Sequence, residues 1–126
     1  MPVTRLVLAA ALSMSAGSVI AGSALAQDAA KGETLFKQRC AACHSVEAGQ
    51  NKMGPHLSAI LGRAAGSVEG AKYSQALPAA GITWDEAQLD AYLTNPKKAV
   101  PGTSMAVAIT NATQRADIIA YLKTLR

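Results

Sequence analysis

Two thiols and an imidazole stand together in the run Cys40-Ala41-Ala42-Cys43-His44. Thiols three residues apart at the end of a helix can each add to a vinyl group on one edge of a macrocycle. The histidine that follows then brings a ring nitrogen beneath a central metal, so C-x-x-C-H reads as a site for covalent attachment of a c-type haem. Ligation needs that nitrogen unprotonated, and the other ring nitrogen normally donates to an acceptor that fixes the ring. Other uses of the same residues fit less well. A C-x-x-C redox pair expects a βαβ pattern, which this chain lacks. A zinc site needs four ligands, and Cys40, Cys43, His44 and His56 suffice in number. Adjacent Cys43 and His44, however, do not easily reach one tetrahedral ion, and no histidine follows His56 at three to five residues. A structural disulfide is the plainest alternative use of the cysteines.

A haem iron held by His44 has a sixth position to fill, and methionine supplies the candidates. Met53 lies ten residues after Cys43, close in sequence to the His44 side. Met105 stands far along the chain, after Pro101-Gly102-Thr103-Ser104, where a loop can bring a thioether over the opposite face. Sulfur paired with a histidine nitrogen raises a haem potential and closes the iron to small ligands, which suits electron transfer. The alternative for Met105 is a side chain that fills the core.

Three helical segments carry boundary signals that would hold these residues in place. Asp28 can cap a helix reaching to about Cys40, with Gly32, Leu35 and Phe36 on one face. Thr83-x-x-Glu86 reads as a capping box for a helix with Leu89, Tyr92 and Leu93, ending at Asn95 before Pro96. A last helix, from about Ala112 to Leu125, has Asn111 and Gln114 as its box and Ile118, Ile119, Leu122 and Leu125 as a buried stripe. Between Ser45 and Gly81 the chain is rich in Gly, Ala and Ser, which predicts loop with a short helix near Tyr73 to Leu77. So long a loop in so small a domain suggests that it wraps something. No strand alternation of useful length occurs, and the expectation is a single all-α domain.

The chain has 126 residues, and the sole charge in its first 26 is Arg5. A Leu/Val/Ala run from Leu6 to Leu12 leads through Ser and Gly to Ala24-Leu25-Ala26, the pattern of a cleavable secretory signal peptide over residues 1–26. An uncleaved anchor is the competing reading, weakened by Ser13, Ser15, Gly17, Ser18, Gly22 and Ser23. Residues 27–126 form the expected domain, placed outside the cytoplasm by the signal. They hold 20 alanines and only five large aromatics, Phe36, Tyr73, Trp84, Tyr92 and Tyr121. Small domains with so thin a core usually add a disulfide, a metal or a cofactor. Eleven basic against eight acidic side chains leave +3 on this stretch, with no block of like charge, so a nucleic-acid partner is not expected.

From Gly32 to Leu122 the chain resembles the class I cytochromes c of the bacterial, mitochondrial-like type. The resemblance rests on Gly32 with Phe36, the Cys40 to His44 motif, Gly54-Pro55, Leu57, Gly62-Arg63, Tyr73-Ser74 and Gly81-Ile82-Thr83-Trp84. It continues through Tyr92-Leu93, Asn95-Pro96-Lys97-Lys98, Pro101-Gly102-Thr103 with Met105, and Ala120-Tyr121-Leu122. It implies a small fold in which the N- and C-terminal helices cross, through Gly32, Phe36, Tyr121 and Leu122, and loops wrap one haem c. It also implies thioether links at Cys40 and Cys43, axial ligation by His44 and Met105, and a Pro55 carbonyl that accepts the His44 ring N–H. Arg63, Tyr73 and Trp84 would hydrogen-bond a haem propionate, Tyr92 would point its hydroxyl at the Met105 sulfur, and Thr103 would assist on the propionate side.

Departures from the family pattern are local. Val107 stands where an aromatic is usual, and a glycine usual shortly afterwards is missing, so Ala108 runs directly into Ile109-Thr110. His56 replaces a common Asn and is a rival ligand in principle, although it sits beside Pro55 on the His44 side. Leu77 and Pro78 replace a polar pattern. Ser104 and Thr110-Asn111 replace lysines, leaving Lys37, Arg39, Lys52, Lys72, Lys97 and Lys98 as a basic rim. The function implied is a soluble, monomeric periplasmic electron carrier, not an enzyme, that exchanges single electrons with redox proteins, including membrane-bound complexes. The alternatives are a haem protein whose labile Met105 yields to small ligands or peroxide, and a fixed cytochrome subunit of a larger oxidoreductase.

Overall fold

In the computed structural model, residues 27–126 are described, and the expected leader, residues 1–26, lies outside the described residues. Helix α1, Ala29–Arg39, begins where the Asp28 carboxylate accepts from the Lys31 amide at 3.0 Å, satisfying one of the free donors of the first turn. Helix α5, Ala112–Thr124, starts in the same way, with the Asn111 side chain accepting from the Gln114 amide. Both caps stand where the sequence placed them.

The two terminal helices cross at a glycine. A Cβ on Gly32 would stand 1.9 Å from the Asp117 carbonyl oxygen and 3.0 Å from the Tyr121 Cβ. Nothing larger than hydrogen fits there without moving the α5 backbone. Phe36 and Tyr121 rings meet beside this crossing with centroids 5.5 Å apart. Asp117, buried on α5, accepts a hydrogen bond from the Asp28 amide at 2.9 Å, so the start of α1 is tied to α5 by a side chain as well as by packing.

Helix α3, Glu86–Thr94, begins two residues later than the expected box would place it. Its cap is Asp85, whose carboxylate accepts from the Gln88 amide at 2.7 Å. Thr83 is engaged elsewhere, in an isolated antiparallel bridge to Ala64. Beside that bridge the Trp84 amide donates to the Arg63 carbonyl, and the Trp84 carbonyl accepts from Gly62. Gly62 is in the left-handed region at φ 87°, the conformation that this tight approach uses.

Two short helices complete the set. Helix α2, Ala76–Ala79, lies slightly beyond the expected Tyr73 to Leu77. Helix α4, Pro96–Ala99, was not foreseen: the proline that stops α3 also opens the next turn from N1, and Asn95 caps it by accepting from the Lys98 amide. Helix α3 packs on both α4 and α5. Ile109 and Ile118 are each 1% exposed at the centre of the core, with Phe36, Leu89, Leu93, Val100 and Leu122 around them.

Apart from α2, the long segment between α1 and α3 is loop, as expected, and is held by polar side chains. Asn51 ties two of its turns together: its Oδ1 accepts from the His56 amide, and its Nδ2 donates to the Glu69 carbonyl, both at 3.0 Å.

Candidate functional site

The C-terminal end of α1 hands the chain directly to the thiols. The amides of Cys40 and Ala41 still bond to the Phe36 carbonyl, and those of Cys43 and His44 bond to the Cys40 carbonyl. The C-x-x-C-H run is therefore one compact turn, with both cysteines free and half-buried. Burial raises the Cys40 thiol above its ordinary pKa; nearby Arg39 opposes this, and Cys43 adds slightly to it.

His44 is fixed from its far side. Its Nδ1 lies 2.8 Å from the Pro55 carbonyl oxygen, an acceptor only, so Nδ1 carries the proton and Nε2 keeps its lone pair. Burial lowers the ring pKa more than the Pro55 bond raises it, so the neutral imidazole is favoured. Gly54 makes the approach possible, since a Cβ there would fall 2.4 Å from His44 Cε1.

His44 faces a cavity of about 380 Å³, inside the ~300–1,000 Å³ range common for small-molecule and cofactor sites. All ten residues expected from the sequence line it: Cys40, Cys43, His44, Pro55, Arg63, Tyr73, Trp84, Tyr92, Thr103 and Met105. Met53 lines it too, but is 81% exposed at the rim. The walls are otherwise mostly apolar, with Leu57, Ile60, Leu89 and Leu93 among them.

The polar residues of the cavity differ in what they already hold. Arg63, half-buried, donates to the His56 carbonyl at 2.8 Å and to the Ser58 carbonyl, and burial lowers its pKa. A guanidinium has five N–H donors, so these two bonds leave others for an anion. The Tyr73 hydroxyl oxygen accepts from the Val68 amide at 3.1 Å, which leaves its own O–H to donate. The Tyr92 hydroxyl meets the Thr103 hydroxyl at 2.6 Å. Only one of the two hydroxyls donates in that contact, so the other keeps its O–H for a further acceptor inside the cavity. Burial raises the Tyr92 phenol, and the Thr103 bond opposes it.

His56 does not line the cavity. Its Nδ1 is buried with no hydrogen-bond partner among the described residues, and desolvation followed by the Arg63 charge lowers its pKa. Among the described residues no group of three or more His, Cys, Asp and Glu side chains could hold a metal ion, which disfavours the four-ligand zinc alternative. Ser74 was given no role from its sequence, yet its hydroxyl is buried and has no partner among the described residues. Its position after Tyr73 was the available signal.

The residues fit a haem on their own chemistry. Paired thiols, a neutral imidazole with its lone pair free, a thioether and several unspent donors surround one apolar cavity.

Comparison with known proteins gives the same direction. The family model described as Cytochrome c matches residues 29–126. A cytochrome c of Gibberella zeae is 52% identical over 98 residues, which is 76% of this chain and 92% of that protein. A cytochrome c2 of Rhodomicrobium vannielii is 47% identical over 117 residues, covering 91% of this chain and 89% of the relative. A cytochrome c-type cyt cy of Rhodobacter capsulatus is 48% identical over 99 residues, 78% of this chain but only 49% of that longer protein.

Proposed function

Because this chain belongs to the cytochrome c family, whose members carry electrons rather than catalyse a reaction, we propose that it is a soluble periplasmic carrier with one haem c. Cys40 and Cys43 would hold the haem covalently, and His44 and Met105 would ligate its iron. When bound, the haem supplies a one-electron couple between ferric and ferrous iron, and the protein binds, orients and tunes it.

The observation that carries this reading is the neutral His44 ring, tied at Nδ1 to Pro55 and facing the cavity that Cys40, Cys43 and Met105 also line. The Pro55 carbonyl keeps the ring in one tautomer and one orientation. Arg63, Tyr73 and Trp84, which line the cavity, would receive a propionate. A carboxylate taken out of water needs such donors. Apolar walls exclude water and, with the thioether of Met105, favour the reduced state. Partners are redox proteins, including membrane-bound complexes, met by a monomer in brief encounters, and export depends on the leader at residues 1–26.

The exposure of Val107, 39%, favours one second reading, in which Met105 is labile and small ligands reach the iron. Visible spectra of the exported protein, oxidised and reduced, separate the two readings, with denaturing extraction to test attachment. Attached haem, the weak far-red band of Met-ligated ferric haem and no carbon monoxide binding are expected. Tight carbon monoxide binding to the ferrous form would favour the labile reading, and absence of attached haem from a host able to mature such proteins would overturn both.

A further inference from the structure

The segment that carries Met105 is hydrogen-bonded at its two ends, and between them Met105 is held by packing against the core. Among the described residues, no hydrogen bond involves residues 104–107. On the near side, Thr103 is fixed by its amide to the Val100 carbonyl at 3.0 Å, by its hydroxyl to Tyr92, and by its carbonyl to the Lys97 ammonium. On the far side, the Ile109 amide donates to the Leu93 carbonyl at 2.7 Å, and Arg115 donates to the carbonyls of Ile109 and Thr110. These restraints come from α3, α4 and α5.

One further hydrogen bond reaches the segment from α1, the helix that leads into the thiols. Arg39, the last residue of α1 and the neighbour of Cys40, extends its Nη2 to the Ala108 carbonyl at 3.2 Å, across 69 residues of sequence. Arg39 lines the cavity together with Cys40 and Val107. The bond therefore joins the wall that bears the thiols to the wall that bears Met105. The direct run from Ala108 into Ile109, already seated on Leu93, leaves that carbonyl little freedom to turn away.

We infer that Arg39 is a positioning residue, a latch that keeps the Met105 segment closed over the cavity. This rests on the reading of Met105 as the sixth ligand. A guanidinium suits the task because its rigid fork keeps several donors available to the carbonyl. The latch is exposed, so it competes with water and its effect is modest. It acts on how readily Met105 leaves the iron and has little bearing on whether the domain folds.

The test uses the haem-loaded protein with imidazole as the competing ligand for ferric iron, alongside thermal unfolding. Arg39→Ala is expected to raise imidazole affinity roughly three- to tenfold, the scale of one exposed hydrogen bond, while leaving the unfolding midpoint nearly unchanged. Arg39→Lys should recover part of the loss. Lys37→Ala, which removes a charge from the same helix but touches only Glu33 among acidic groups, should bind imidazole as the parent does. Met105→Ala serves as the reference for an open iron. Parent-like imidazole affinity in Arg39→Ala, with strong binding in Met105→Ala, would overturn the latch and leave Met105 as the ligand. Equal affinities in the parent and Met105→Ala would overturn the ligand reading and the latch with it.

Discussion

At His44, burial and hydrogen bonding pull against each other. Desolvation disfavours the charged ring, the Pro55 carbonyl favours it, and desolvation is the larger effect, so a lone pair stays available at Nε2. Met105 has no such fixed partner, and its contribution is best read by deletion. Met105→Ala is expected to leave the haem attached, abolish the far-red band and lower the reduction potential; potentiometric titration checks it, and an unchanged potential would sink the assignment. His56 offers a different measurement. Its pKa is lowered in the folded state, so the unfolded chain binds more protons below the ordinary histidine value. Stability should therefore fall as the pH drops through about 6.5, and His56→Asn should flatten that slope. Denaturant midpoints at pH 7 and pH 5 decide it.

At the scale of elements, the caps were legible because their signals are local, whereas the crossing was legible only through the family resemblance. Asp28 and Asn111 each precede a helix whose buried positions repeat at helical spacing, and nothing elsewhere competes for their side chains. Thr83 failed as a cap because the bridge to Ala64 fixes its backbone, and no pattern within a few residues reveals a pairing made across 19 positions. Asp85→Ala should therefore cost about 1 kcal/mol and Thr83→Ala distinctly less, as read from denaturant midpoints. Helix α4 was missed because a proline that ends one helix equally begins another. Gly32 belongs to this scale as well. Gly32→Ala drives a methyl into the Asp117 carbonyl, and a loss of roughly 3 kcal/mol is expected. Parent-like stability would mean that α1 and α5 can slide apart at no cost.

For the whole molecule, the ten residues expected from the motif and the resemblance line one cavity, while their mutual contacts were not legible in the sequence. The Tyr92 to Thr103 pair, the unpartnered Ser74 and the Arg39 contact all depend on which loops meet, and that is set by packing. The thin core has a further consequence. Apolar core residues line the cavity of about 380 Å³, and on that face a guest completes their packing. Cys40→Ala/Cys43→Ala, exported without attached haem, should keep part of its helical signal but lose fixed tertiary packing and bind a hydrophobic dye, the behaviour of a loosely packed state. A sharp cooperative melt near that of the parent would contradict this.

Asn51 carries the last consequence. Its amide spans the turn at His56 and the turn at Glu69 with one acceptor and one donor, and neither end has a proton to gain or lose. The clasp between these loops is therefore deaf to acidity. Across the range in which histidines change charge, the clasp keeps its own donors and acceptors, and a pH response on this flank must arise in the His56 ring and not in the amide that holds its turn.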